Sequence, residues 1–373
     1  MRSRVALRLL LHDRSSTGGA LLGVVAIVFL VGQQLSILFG LLQYMSVLVD
    51  HSGADVWITS TNIRNVDATN LISGRFLDRV IGLPEVEWAE PILLGNGLMR
   101  TADGSFEAVK MVGLRRPRLA GGPWAFFKGQ AENLIDLEAV AVDKLDMAKF
   151  GEPTLPFLTE INGWRIRIQA VTQGARAFQG TLVFTSLDKI KDMAATPPGR
   201  YSAILVRFRP GTDVAHAVAR LRAILPECSV LTTLELARLT QYYYITNTGI
   251  GGSFGFSTSI AVLIGIVIIT LTMYASVLGR TRDFAVMRAL GGRRRDIAIL
   301  VISQALMLSS AGIFLGFLLL AALLQVTRGS DIPSYLPSLV PPVLTVITLF
   351  VSLLGSLVAL RKALQADPAS VFH

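Results

Sequence analysis

Four stretches of this sequence contain no charged residue and are each long enough to cross a lipid bilayer. A transmembrane helix needs ~20 predominantly apolar residues. Only 16% of the residues in the chain are charged, whereas soluble domains have ~25%. Four membrane spans therefore explain the stretches better than buried helices of a soluble core. The stretches lie between Arg14 and Asp50, between Arg238 and Arg280, from Ile297 to Thr327 and from Ile332 to Leu360.

The first stretch has a second interpretation, a cleaved signal peptide, because arginines precede it. A signal peptide has an apolar core of ~7–15 residues followed by a small-residue cleavage site. The uncharged run here is much longer and no such site follows it. These features favour an uncleaved membrane anchor.

Positive charge is concentrated outside the spans, in three segments. Of the chain's net charge of +9, residues 1–14 carry +3, residues 280–296 carry +4 and residues 361–373 carry +1. Cytoplasmic loops of membrane proteins are enriched in Lys and Arg. We therefore expect a multi-pass protein of the bacterial inner membrane with both termini cytoplasmic and the large middle segment periplasmic. This topological use of the basic residues argues against a nucleic-acid surface.

The predicted fold is a membrane α-helical protein with four transmembrane helices and a large α/β extracytoplasmic domain inserted between helices 1 and 2. For residues 1–14 the sequence predicts a short amphipathic helix, with a basic tail as the alternative. The predicted segments are a cytoplasmic amphipathic segment (1–14), transmembrane helix 1 and a stalk (18–48), the periplasmic domain (49–240), a stalk and transmembrane helix 2 (241–279), a cytoplasmic coupling loop (280–296), transmembrane helices 3 (297–326) and 4 (333–360), and a cytoplasmic tail (361–373).

The stalk is predicted because the first two uncharged stretches are longer than a bilayer requires. At ~1.5 Å per residue, a continuous helix through either stretch would exceed the ~30 Å of the hydrocarbon core. The alternative is that the outer ends of both stretches are uncharged loops. Gly249 and Gly255 weaken a continuous helix in the second stretch.

The middle segment has the pattern of a mixed α/β domain. Its strongest unit runs from Tyr201 to Leu231, where a strand, an Arg-Pro-Gly-Thr turn, an amphipathic helix and a short strand follow in β-α-β order. Glycine and proline clusters between the strands indicate two subdomains, the first of them discontinuous. The predicted strands are 54–59, 108–112, 140–142, 164–171, 181–184 and 203–208, and the predicted helices are 72–81, 187–193 and 214–225.

The domain contains no motif for catalysis. Cys228 is the only cysteine and the four histidines are far apart, which leaves no Cys- or His-based metal site. We interpret Asp143, Asp146 and Glu152 as a solvated surface. Residues 242–244, three consecutive tyrosines, are interpreted as an interfacial aromatic belt, with a substrate-contacting surface as the alternative. The chain is therefore expected to be a non-catalytic membrane subunit without cofactors or metals of its own.

The loop between spans 2 and 3 contains a short amphipathic pattern. Phe284, Met287 and Arg288 are three and four residues apart and share one face of a helix. Gly291 and Gly292 then provide a C-terminal stop. The pattern fits either a helix that offers an apolar face to a partner or a basic connector.

The residues of this loop resemble a known family. The arrangement R-x-x-D-F-x-x-x-R-A-L-G, which starts at Arg280, resembles the core of the FtsX-like permeases of ABC transporters, of the MacB and DevC types. The segment 54–57 is similar to the MacB-like periplasmic core domain, and Asp367 and Pro368 resemble the family's D-P-x-x-x close. Asp283 stands where many relatives carry Glu. The resemblance implies an ATPase-coupling loop formed by Arg280, Arg282, Asp283, Phe284, Met287, Arg288, Ala289, Leu290 and Gly291.

The same resemblance implies partners and a mechanism. Family members are dimers in which each permease binds an ABC ATPase subunit, and ATP-driven movements pass through helices 1 and 2 to the external domains by mechanotransmission. The sequence has no G-x-x-x-x-G-K-[ST] loop, so ATP and Mg are expected on a separate partner chain. A second permease copy, a periplasmic membrane-fusion adaptor, an outer-membrane channel and membrane lipids are the other expected partners, and no nucleic acid is expected.

Efflux through the adaptor and channel is the function that this resemblance implies first. Two alternatives remain open: a Lol-type permease that extracts lipoproteins, and an FtsX-like signalling permease that transports nothing. Gly312 and Gly316 form a G-x-x-x-G pattern that lets helices approach closely, which makes them candidates for helix packing.

Replacing Arg294 and Arg295 with Ala should disturb membrane insertion, because these residues contribute to the positive charge that retains the loop in the cytoplasm. We expect lower yield or a mixed topology, measured by labelling single cysteines placed in the loop of a Cys228→Ser chain. A double variant with wild-type yield and labelling would contradict the assigned topology.

Overall fold

The computed structural model describes residues 14–68, 70–151, 154–278, 286, 291, 293–327, 330 and 332–364. The chain divides into two compact units. One comprises Met1–Gly40 with Gly251–His373, and the other comprises Leu41–Ile250. The two units are described in turn.

The first unit contains helices that are long and apolar enough to span a membrane. Four such helices occur in the described parts of the chain, and they confirm the predicted number and order of spans. Their bounds are α1 (Arg14–Asp50), α6 (Ile250–Leu278), α7 (Arg294–Val326) and α8 (Val340–Leu364).

The observed bounds of these helices have local causes. Helix α1 is a single helix of 37 residues, about 55 Å long at 1.5 Å per residue. The second uncharged stretch is divided at Gly249, whose φ of +76° suits glycine and ends the preceding helix. Helix α8 begins at Val340, whereas the span was predicted from 333, because prolines at 333 and 337 cannot supply helical N–H groups.

Within this unit, α1 is packed closely against α7. Val24, Val28 and Val31 of α1 are buried among apolar residues of the other spans. A Cβ atom added to Gly312 or Gly316 of α7 would lie 2.6 Å from Val24 or 2.7 Å from Val28. Helices in lipid associate through such small-residue contacts, which bring backbones together.

The second unit is an α/β domain built on one mixed sheet. The strands are β1 (Val56–Ser60), β2 (Ile72–Ser73), β3 (Val86–Arg100), β4 (Phe106–Leu114), β5 (Phe126–Lys128), β6 (Ala139–Asp143), β7 (Phe157–Ile161), β8 (Trp164–Thr172), β9 (Arg176–Ala177), β10 (Gly180–Ser186), β11 (Arg200–Tyr201), β12 (Ala203–Phe208) and β13 (Cys228–Thr232). Eleven of these strands, among the described residues, belong to the mixed sheet, in the order β13-β1-β12-β3-β4-β10-β6-β8-β5. The other two strands of the sheet lie off this path: β7 pairs with β3 and β8, and β9 pairs with β10. The helices of the domain are α2 (Arg75–Ile81), α3 (Leu187–Met193), α4 (Val214–Ile224) and α5 (Thr233–Asn247).

The predicted β-α-β unit is present and encloses a further strand. Strands β12 and β13 both pair antiparallel with β1, with Val56 opposite Val206 and Thr232. The two strands are therefore parallel, with β1 between them. The Asp213 side chain caps the connecting helix α4 by accepting hydrogen bonds from the backbone N–H groups of the next turn.

One local prediction fails because of pairing with a distant segment, and one local turn was not predicted. The helix predicted from residue 72 begins at Arg75, because Ile72–Ser73 forms a strand that pairs with β11. The turn between β7 and β8 was not predicted. Asn162 and Gly163 have φ angles of +51° and +79°, as a two-residue hairpin turn of type I′ requires.

The carboxylates predicted to lie on the surface are buried. Asp143 and Asp146 are each 1% exposed, so that interpretation is wrong. Asp143 accepts a hydrogen bond of 2.8 Å from the backbone N–H of Ala175, and Asp146 lies 3.2 Å from the guanidinium group of Arg176. Burial of a carboxylate requires such partners. Glu152 lies outside the described residues.

Gly312→Ala should destabilise the membrane unit, because its Cβ overlaps Val24 and overpacking costs ~1–3 kcal/mol. Gly255→Ala is the matched control, since no atom lies within 4 Å of its added Cβ and Ala is the better helix former. The measurement is thermal unfolding in detergent. Equal melting temperatures for the two variants would contradict the close approach of α1 and α7.

Candidate functional site

The predicted coupling loop lies largely outside the described residues. Gly291 is the residue of the predicted set that the structure describes, and its φ of +91° is typical of a helix C-terminal stop. Val286 is helical and 39% exposed. The other predicted loop residues (Arg280, Arg282, Asp283, Phe284, Met287, Arg288, Ala289 and Leu290) and the C-terminal pair Asp367 and Pro368 lie outside the described parts of the chain.

The end of this loop is fixed by two hydrogen bonds between Arg293 and Asp296. The carboxylate of Asp296 accepts a hydrogen bond of 3.1 Å from the backbone N–H of Arg293, and the backbone N–H of Asp296 donates one of 2.9 Å to the carbonyl of Arg293. Arg294 and Arg295 are exposed in the first turn. The start of α7 is therefore fixed by local contacts next to the predicted loop.

Two helical segments of the α/β unit border the spans in sequence. We call them the junction segments: residues 41–50, the last part of α1, and residues 233–247, which form α5. The first is continuous with the rest of α1, and the second precedes α6 with Thr248 and Gly249 between them. In the sequence, each segment therefore lies between a span and a strand of the sheet.

The N-terminal half of α5 is anchored by capping and apolar packing. Thr232 and Glu235 form a capping box, and Leu236 and Ala237 are buried in the apolar core of the sheet. The hydroxyl of Thr233 donates a hydrogen bond of 2.6 Å to the carbonyl of Ala54. This half is held on the domain like an ordinary core helix.

The other junction segment packs on the same core. Val47, Leu48 and Val49 are 5%, 4% and 0% exposed and belong to the same apolar cluster. The side-chain amide of Gln241 in α5 donates hydrogen bonds to the hydroxyl of Ser46 (2.8 Å) and the carbonyl of Leu42 (3.3 Å). The two junction segments are thus connected to each other as well as to the sheet.

A partly buried polar cluster holds the C-terminal half of α5. Its members, which we call the Asp67 cluster, are Asp67, Lys110, Gln179 and Tyr244. The Tyr244 hydroxyl donates a hydrogen bond of 2.6 Å to Asp67 Oδ2 and accepts one of 2.6 Å from the Gln179 amide. The Lys110 ammonium group forms an ion pair with the same carboxylate of Asp67.

Three members of the cluster, Lys110, Asp67 and Tyr244, are largely shielded from water, whereas Gln179 is exposed. The Lys110 and Asp67 side chains are 4% and 11% exposed. Burial lowers the pKa of Lys110 from 10.5 to about 7, since desolvation disfavours the ammonium, while the neighbouring Asp67 carboxylate acts in the opposite direction. Burial also raises the pKa of Tyr244. Removing one partner of such a buried ion pair typically costs ~3–5 kcal/mol.

The aromatic-belt interpretation is wrong for Tyr244. This residue is 2% exposed, while Tyr242 is 66% exposed. The sequence does contain a signal for this: Leu236, Thr240 and Tyr244 recur every four residues and mark one face of a helix. Because residues 242–244 are all tyrosines, the buried Tyr244 is not distinguished from its two neighbours by residue type.

The described residues contain no group of three or more His, Cys, Asp or Glu side chains that could hold a metal ion. The features brought together in the α/β unit are two junction segments, their apolar anchors and a polar cluster.

The fold defines the class: a membrane protein with four apolar helices and an α/β domain inserted between the first and second. Residues 255–368 match the family model described as FtsX-like permease C-terminal. This match agrees with the FtsX-like resemblance of the loop that starts at Arg280.

Solved structures were compared with the chain as well. The periplasmic region of MacB from Actinobacillus actinomycetemcomitans is 11% identical, with a TM-score of 0.38, and the match covers 50% of this chain and 93% of that one. The extracellular domain of the noncanonic ABC-type transporter YknZ from Gram-positive bacteria is 10% identical, with a TM-score of 0.36, and its match covers 48% of this chain and 98% of that one. No match was found among curated proteins.

The stability of the α/β unit should rise between pH 7 and pH 10. The unfolded chain keeps the Lys110 proton up to ~10.4, whereas the folded chain releases it at about 7. The unfolded state thus binds more protons in this interval, and the free energy of unfolding increases with pH by up to ~1.4 kcal/mol per pH unit. Thermal unfolding of the full chain in detergent measures this slope.

Lys110→Met removes the titrating group and should flatten that slope. Every other group that titrates in this interval is present in both chains, so the difference between the two slopes reports the titration of Lys110. Identical slopes for wild type and variant would show that Lys110 does not release its proton near pH 7.

Proposed function

We propose that this chain is the permease subunit of an ABC-type export complex in the bacterial inner membrane. In this proposal it couples ATP hydrolysis on a separate ATPase subunit to a conformational change of its α/β domain, by mechanotransmission. The observation that carries the proposal is the FtsX-like permease match over residues 255–368. That match includes the basic loop between α6 and α7.

The ATPase is proposed to bind the loop at residues 280–291. Basic flanks retain the loop in the cytoplasm, and its pattern offers an apolar helix face that includes Phe284 and Met287. ATP and Mg belong to the partner in this scheme, and the permease supplies no group to the hydrolysis. What the permease supplies is a mechanical connection through α1 and α6.

The junction segments support the second half of the proposal. Both are attached to the sheet by buried contacts, through Val49 and Leu236 in the apolar core and through Tyr244 in the Asp67 cluster. A rigid attachment transmits displacement, whereas a flexible linker absorbs it. Segments held in this way suit a protein in which movement of the helices changes the position of a domain.

A second permease copy and membrane lipids are proposed to cover the exposed side of α6. Only 17% of its most apolar window is buried within the chain, against 39% for α1. Leu263 and Leu271 are more than 60% exposed. Apolar side chains of this kind face lipid tails or another helix in a membrane. The proposed complex is completed by a membrane-fusion adaptor and an outer-membrane channel.

Met287→Asp should weaken binding of the ATPase without loss of insertion, because a carboxylate on the apolar face would be desolvated at the interface. Met287→Leu is the matched control, since it keeps an apolar side chain of similar volume. The measurement is co-purification of the ATPase with the tagged permease, together with permease-stimulated ATP hydrolysis. Full co-purification and stimulation with Met287→Asp would remove the loop from the mechanism.

A further inference from the structure

The two halves of α5 are attached to the sheet in different ways. In the N-terminal half, Leu236 and Ala237 are part of the apolar core. In the C-terminal half, from Gln241 to Asn247, Tyr244 is the fully buried side chain. The part of α5 that adjoins α6 in sequence is therefore held mainly through Tyr244. Its ring packs edge-on against Phe178 at 5.4 Å between centroids, and its hydroxyl makes polar contacts, whose geometry tolerates little displacement.

These polar contacts converge on one short turn, residues 65–68. The side chain of Asn65 accepts hydrogen bonds from the backbone N–H groups of Asp67 (2.9 Å) and Ala68 (2.8 Å) and thereby fixes the turn. Asn65 is itself 3% exposed. The Asp67 carboxylate is consequently presented in one orientation, which a mobile loop would not achieve.

The turn contacts α5 on one side and the sheet on the other. The backbone N–H of Val66 donates a hydrogen bond of 3.1 Å to the hydroxyl of Thr240 in α5, and the Asp67 carboxylate accepts one of 2.6 Å from Tyr244 one helical turn later. Lys110 of β4 pairs with the same carboxylate. Because β4 is bonded to β3 and β10 in the interior of the sheet, it is a rigid point of attachment.

We propose that the turn 65–68 is a clip that makes the C-terminal half of α5 move with the sheet as one body, with Asp67 as its central positioning residue. The clip rests on the proposed function, because it is the point at which displacement of α6 enters the α/β domain. Without it, α5 would bend at its weakly packed end and the displacement would be absorbed there. Asp67 touches neither substrate nor ATPase in this role.

Hydrogen exchange of the full chain in detergent tests the clip without any ATPase. Tyr244→Phe removes the hydroxyl but leaves the ion pair of Lys110 and Asp67 intact, and Tyr243→Phe removes the neighbouring hydroxyl as the matched control. We expect about tenfold faster exchange of the amides of residues 241–247 in Tyr244→Phe, as the loss of one hydrogen bond to a charged group implies. Equal exchange in the two variants would overturn the clip.

A distance measurement in the ATPase complex tests transmission. Spin labels are placed at Leu98 of β3 and Tyr242 of α5, which are 52% and 66% exposed, in a Cys228→Ser chain. With the clip intact, the distance between the labels should be the same with ATP and Mg as with ADP. In Asp67→Asn and Tyr244→Phe it should change or broaden on addition of ATP, while ATP hydrolysis continues.

The outcomes of this experiment are distinct. A distance in both clip variants that stays unchanged with ATP, while hydrolysis continues, would overturn the role of Asp67 in transmission. A distance distribution that is broadened equally with and without nucleotide would indicate a structural role alone. This result would overturn the role of Asp67 in transmission as well. If no ATPase binds the wild-type chain, the proposed function fails and the transmission role fails with it, whereas the exchange result still decides whether the clip exists.

Discussion

The hydrocarbon core of a bilayer offers no water to backbone or charged groups, and the organisation of this chain depends on that constraint. Every segment that crosses it must satisfy its own backbone hydrogen bonds and exclude charge. The four apolar helices meet both requirements, and the close contact of Gly312 with Val24 shows how they pack without a hydrophobic driving force. Charged residues lie outside the uncharged stretches of these helices, mostly in the α/β unit and in the basic segment between α6 and α7.

Burial away from water is also unfavourable for charged groups inside the α/β unit, but there the buried charges are stabilised by partners. Three buried charges there have partners: Asp143 a backbone N–H group, Asp146 a guanidinium group, and Lys110 the carboxylate of Asp67. An apolar contact stabilises a helix over a range of positions, whereas these pairs have one favourable geometry. In the proposed mechanism, in which the domain follows a moving helix, contacts of the second kind are favourable at the end nearest that helix.

Much of the fold could be predicted from sequence where the signal is local. Long uncharged runs define the spans because nothing else in a protein requires them, and the strand-turn-helix-strand order of residues 201–231 defines its β-α-β unit. The family resemblance rests on the loop that starts at Arg280, a pattern of adjacent residues. None of these inferences requires knowledge of which distant segments meet.

The failures have the opposite cause. Tyr244 and Asp67 are 177 positions apart, and Asp143 is 32 positions from Ala175, so their burial depends on tertiary partners that no local window contains. The strand at Ile72 exists because Tyr201 pairs with it, which overrides the helical pattern. The Asn162-Gly163 turn was a local signal that was overlooked. The candidate site in the junction segments was not predicted because its residues form no motif in the sequence and meet only in the folded domain.

If this chain is the permease of an ABC-type complex, as proposed, it must bind an ATPase in the membrane. The decisive experiment is purification of the tagged chain from its native membranes in mild detergent, with the bound proteins identified by mass spectrometry. We expect an ABC ATPase in stoichiometric amount, with a membrane-fusion adaptor if the complex is an exporter. Intact, well-solubilised protein that brings down no ATPase would refute the proposed function.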